Sequence, residues 1–198
     1  MGKILGRRYR FVDDYKKKVY VGSNGKSKQK IIYIGQWVCP LNEKDAFNRI
    51  VLISRIAAVV LLAAVIAAML VVPLPLDHKW YMPVTAFAFF PILYAVMGVV
   101  AMPQKKKPME RMKFQKSFER AKGAAAFCLV VLGIAVLAWI VCWILAFTGV
   151  ITVYGAFSVR DGAYLFCMGL AAAACFVLIR QTKQIKTELR DNSACKPE

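Results

Sequence analysis

The chain has 198 residues, 59% of them hydrophobic, and 28 Lys and Arg against 11 Asp and Glu give a net charge of +17. Four near-continuous apolar runs in so short a chain argue against an ordinary water-soluble domain. The positive charge lies between those runs, on alternate connections, so it reads as topology-setting charge and no nucleic-acid partner is expected.

Residues 1–46 read as a small, basic, cytosolic β module. Runs 15–21 and 28–38 are rich in Val, Ile, Tyr and Trp and flank Gly22-Ser23-Asn24-Gly25. Asn-Gly between β-prone runs signals a hairpin, because a type I′ turn needs positive φ at both central residues. With Asn24-Gly25 at the tip, Val21 faces Lys28, Val19 faces Lys30 and Lys17 faces Ile32. Tyr15, Val19, Ile32 and Ile34 then share a face and, with Trp37, are the candidate partner-docking residues. Residues 8–12 are expected to add a third strand, since a lone hairpin is only marginally stable. No apolar signal-peptide core is seen before residue 50, so the first apolar run is expected to act as an uncleaved anchor. Neither terminus carries a lipidation motif.

Residues 47–181 are expected to form the membrane domain, with Asn42 or Asp45 capping its first helix. The first span, 50–72, has Arg55 and Ser54 as its only strongly polar side chains, and such a length matches a hydrocarbon core of about 30 Å. Arg55 lies inside the apolar boundary. Its long stem can carry the guanidinium back to headgroups, or it can face the bundle and touch a substrate or partner. The exit after residue 72 is short and proline-rich, with Trp80 and Tyr81 placed as interfacial anchors and His78 as a solvated loop residue. In the second span, 82–102, the interior Pro91 should kink the helix.

The next connection holds Lys105, Lys106 and Lys107 and leads into a basic amphipathic helix at 109–122. Phe114, Phe118, Ala121 and Ala125 make its apolar stripe, with Arg111, Lys113, Lys116 and Arg120 around it. This reads as an interfacial helix on anionic lipid, where each cation contributes about 1 kcal/mol of attraction. With Arg55, these cations are the candidate contacts to lipid headgroups or a partner. The third span is 123–148, where Trp139 and Trp143 share a face. The fourth, 162–179, carries Gly169 and Ala173 at the spacing that lets a neighbouring helix approach closely. Residues 182–198 read as a basic tail whose helix runs on to about residue 189.

The sequence therefore predicts an all-α membrane protein: two helical hairpins, both termini cytoplasmic, multi-pass in the cell membrane. A shift of 71 positions superimposes Phe47 on Phe118, Arg49 on Arg120, Leu61 on Leu132 and Met97-Gly98 on Met168-Gly169, which suggests a parallel repeat. No Asp, Glu or His falls within the four predicted spans, so no proton relay, paired-carboxylate chemistry or metal site is expected there. Residues 22–27 lack the spacing of a nucleotide-binding loop. With one histidine and no C-x-x-C pair, neither a zinc site nor an activated cysteine is expected, and the cysteines are read as free thiols. The expectation is a non-enzymatic protein without a cofactor. It would be an accessory, scaffold or regulatory subunit with a protein partner or a second copy of itself. The alternative is a small oligomeric transporter with a pathway near Pro91.

Overall fold

A computed structural model describes residues 14–21, 27–71, 81–149 and 159–190. The expected third strand at 8–12, the turn at Asn24-Gly25, and the loop residues His78 and Trp80 lie outside these. Four helices are long and apolar enough to cross a membrane, and small β-sheets accompany them. Strands β1 (Tyr15–Val21) and β2 (Ser27–Tyr33) form the hairpin, followed by β3 (Trp37–Pro40) and helix α1 (Lys44–Val71). The second apolar helix is split into α2 (Tyr81–Phe87) and α3 (Phe89–Val100). The split falls at Ala88, three residues before Pro91. There the ring removes one backbone donor and crowds the carbonyl a turn earlier, as expected for an interior proline.

After β4 (Met109–Glu110), the short helix α4 (Arg111–Phe114), a π-helical turn (Gln115–Glu119) and α5 (Arg120–Phe147) run on as one apolar rod of 37 residues. Helix α6 (Val159–Lys183) and strand β5 (Thr187–Arg190) complete the described chain. The helices form a ring. α1 packs against α6 and α3, and α5 packs against α6 and against α2 with α3, so α1 and α5 stand diagonally opposed.

Several expectations are corrected here. The hairpin register is Tyr15 with Tyr33, Lys17 with Ile31, Val19 with Gln29 and Val21 with Ser27, one residue away from the Asn24-Gly25 two-residue turn. A one-residue slip moves side chains to the other face. Ile31, not Ile32, therefore joins Tyr15 and Val19, while Ile32 belongs with Lys16 on the opposite face. Ile34 lies beyond the strand, held by its N–H to the Asp14 carbonyl at 2.7 Å. The tail does not stay helical to residue 189: α6 ends at Lys183 and 187–190 is a strand.

Nor does the apolar stripe of 109–122 face outward, as a lipid-facing stripe would. Phe118, Ala121 and Ala125 are buried in the bundle and run collinearly into Cys128, Leu132 and Ala135, a three–four seam that faces protein along the whole rod. Gly169 and Ala173 point outward, and no atom lies within 4 Å of where a Gly169 Cβ would be. The close approach occurs instead at Gly98. A Cβ there would lie 2.7 Å from the Ala121 nitrogen and 2.9 Å from the Ser117 carbonyl oxygen. Trp139 and Trp143 do share a face, and it is an inward one, with ring centroids 6.4 Å apart.

Residues related by the 71-position shift meet each other. Val38 pairs with Met109 across β3 and β4, and the Phe47 and Phe118 rings stand 6.1 Å apart. The positions Ile50, Ala57, Leu61, Ala64 and Ala68 are buried, and so are Ala121, Cys128, Leu132, Ala135 and Trp139 71 places later. Equivalent residues touch in this way when they straddle a two-fold axis, and here that axis would run down the centre of the ring.

Candidate functional site

Both ends of the described helical chain and its middle connection lie at one end of the bundle. Strand β3 enters α1, β4 enters the long rod and β5 leaves α6, and the three pair as one antiparallel sheet in the order β4-β3-β5. The sequence gives little warning of this sheet, because its strands are two to four residues long and far apart in the chain. Asn42 fastens the seam rather than capping α1. Its amide donates to the Gln184 carbonyl at 3.0 Å, and its side-chain oxygen accepts from the Lys186 N–H at 2.9 Å.

The hairpin is anchored on this sheet through its base. Tyr15 donates to Glu110 Oε2 at 3.1 Å, and the Tyr33 hydroxyl accepts from the Arg111 N–H at 3.4 Å and donates to the Gln36 carbonyl at 2.6 Å. Trp37 is half-buried, edge-on to Tyr33 with centroids 5.3 Å apart, so it serves the hairpin–sheet junction. Burial pushes the Tyr15 phenol up to about 12, helped by its hydrogen bond and charge contact with Glu110. Burial also raises Tyr33, against the opposing hydrogen bond from Arg111. Further along the same face, Val19 and Ile31 are 61% and 64% exposed beside the exposed Lys17, while the exposed Lys16 and Lys18 lie on the opposite face. The hairpin thus offers two apolar side chains next to Lys17 on one face, with Lys16 and Lys18 on the other. Ile31 was missed in sequence because register was read from the Asn-Gly pair alone.

The predicted cations do not form one cluster. Lys105, Lys106, Lys107, Lys113 and Lys116 are exposed, and Lys113 pairs with Glu110 at 3.1 Å. Arg120 is half-buried and sits 4.6 Å over the Tyr94 ring, closing the seam between α5 and α3 by a cation–π contact. Arg55 is half-buried on α1 and donates from Nη2 to the Met102 carbonyl just past α3, at 3.3 Å. A cation suits the carbonyl end of a helix. Beside it, a groove of about 400 Å³ between α1 and α3 is walled by Val59, Leu62, Val96 and Val100, with Arg55 and Gln104 its polar lining among the described residues. A second groove, of about 680 Å³, lies between the start of α1 and the end of α6, lined by Asp45, Arg49, Ile50, Ile53, Gln181 and Gln184.

The opposite end of the bundle holds an acid one residue before the predicted fourth span, 162–179. Asp161 lies in the first turn of α6 and is only 2% exposed. Tyr81 donates to its Oδ1 at 3.4 Å, and the Tyr81 and Tyr164 rings are 5.0 Å apart. Thr85 bonds the Tyr81 carbonyl at 3.0 Å and the Tyr164 hydroxyl at 2.7 Å. Tyr81 is therefore fully buried and ties α2 to α6 instead of anchoring at an interface. The start of a helix favours a carboxylate, which explains why Asp161 is tolerated inside. Among the described residues, no group of three or more His, Cys, Asp or Glu could hold a metal ion. Comparison with protein-family models, curated proteins and solved structures found no match.

Proposed function

We propose that the chain is an integral membrane protein with both termini cytoplasmic, acting as a non-catalytic accessory, scaffold or regulatory subunit of a membrane complex. The observation that carries this reading is the sheet at the basic end. It joins the hairpin module, the middle connection and the C-terminal strand into one platform, from which Val19 and Ile31 project beside Lys17. Apolar side chains beside a cation suit a protein partner with an acidic rim around an apolar patch. The cytoplasmic assignment follows from charge. Lys and Arg crowd the three segments at that end, and the positive side of a membrane protein is retained inside.

The 71-residue similarity fits a duplicated helical hairpin whose halves pair about the Val38–Met109 and Phe47–Phe118 contacts. The alternative, a small transporter, has no comparable observation behind it. Leu61, Val65, Ile92, Leu132 and Met168 fill the interior of the single chain. The experiment is co-purification of the full chain in mild detergent, with the double variant Val19→Asp, Ile31→Asp beside a Leu52→Ser control on the exposed flank of α1. The reading expects a stoichiometric partner present with wild type and control and lost with the double variant. A partner retained by the double variant, or none at all, refutes it.

A further inference from the structure

Among the described residues, Arg55 stands out as a cation carried part-way down an apolar wall. Among the described residues it has no carboxylate partner; it donates to the Met102 carbonyl, which occupies one of the five N–H donors of a guanidinium. A charge held at this depth is costly unless paired and hydrogen-bonded. The groove beside it opens sideways, along the flank where Val59 and Val100 are 68% and 73% exposed, and its walls are hydrocarbon. At its head lies Gln104, which can donate through its amide, and the exposed run Lys105, Lys106 and Lys107 follows it directly in the chain.

From this we infer that the α1–α3 groove is a binding site for one anionic phospholipid. The phosphate accepts from the free guanidinium donors of Arg55 and from Gln104, the headgroup charge meets the three lysines, and one acyl chain lies along Val59, Leu62, Val96 and Val100. A guanidinium matches phosphate oxygens in a two-pronged geometry that an ammonium does not reproduce. A soluble phosphate would satisfy Arg55 and leave the apolar walls uncovered, so the occupant is a lipid. The inference rests on the membrane reading above and names what the basic end holds within the bilayer.

The test is native mass spectrometry of the full chain in detergent, supplied with equal amounts of phosphatidylglycerol and phosphatidylcholine, and separately with glycerol phosphate as a tailless competitor. Wild type is expected to retain one phosphatidylglycerol with a preference of about tenfold, the ratio that about 1.4 kcal/mol gives. Arg55→Gln brings the two lipids to parity, and Arg55→Lys keeps only part of the preference. Val59→Trp, which fills the groove from its exposed rim, lowers retention of both. Arg49→Gln, in the other groove, retains the full preference. Circular dichroism establishes that each variant keeps its helices. Unchanged preference in Arg55→Gln, equal retention of both lipids by wild type, or displacement by glycerol phosphate at equal concentration overturns the inference. Extraction of the chain from membranes by alkaline carbonate would instead refute the membrane reading itself, and the lipid site with it.

Discussion

Gly98→Ala isolates the contact that sets the spacing of α3 and the long rod. The added methyl would sit 2.7 Å from the Ala121 nitrogen, 2.9 Å from the Ser117 carbonyl oxygen and 3.0 Å from the Ala121 Cα, all backbone atoms that cannot rotate aside. The π-helical turn at Gln115–Glu119 contains Ser117, so the crowded surface is itself an unusual piece of backbone. Forcing the helices apart costs about 1–3 kcal/mol, the usual range for overpacking. Alanine also raises helix propensity by about 1 kcal/mol, which partly hides that cost. Gly133→Ala supplies the correction, because it sits in a helix interior with nothing within 4 Å of its added methyl. The difference between the two variants then reports packing alone. Unfolding from mixed micelles by increasing SDS, followed by circular dichroism, should place Gly98→Ala about 1–3 kcal/mol below Gly133→Ala. Coincident midpoints for the two variants would refute the close approach.

Two further outcomes are expected. Tyr15 is raised from 10.0 to about 12 in the folded chain, so between those values the native state binds more protons than the unfolded one. Its contribution is complete below pH 10 and is lost as pH rises to about 12. Absorbance at 295 nm should therefore show a late-ionising tyrosine that moves toward its ordinary value in Glu110→Gln; identical titrations would sink the assignment. At the other end of the bundle, Asp161→Ala removes the acceptor of the buried Tyr81 hydroxyl and should cost on the order of 1–3 kcal/mol in the same SDS assay. Asp161→Asn, which keeps an acceptor oxygen in place, should cost less, and equal losses in the two would assign the effect to packing.

The helical part of the fold was legible in the sequence because length and apolarity are properties of a segment by itself. The runs that became α1, α2 with α3, the long rod and α6 can be counted residue by residue, and Pro91 breaks its helix by removing its own donor. The seam through Phe118, Ala121 and Ala125 was equally visible as a periodicity. What covers a seam, however, is decided by the neighbour. Phe118 meets Phe47 from the diagonal helix, so a stripe that suited a lipid surface is protein core. Gly98 and Gly169 occupy equivalent places under the 71-residue shift, yet one touches backbone and the other faces outward. Asp161 is buried because α2 brings Tyr81 to it, across 80 residues of chain. The β4-β3-β5 sheet joins strands too short to declare themselves, and the hairpin register turned on a single residue of loop length. Local chemistry specified the elements; the pairing of faces, which sums many weak contacts between distant segments, could be settled only by the assembled tertiary structure.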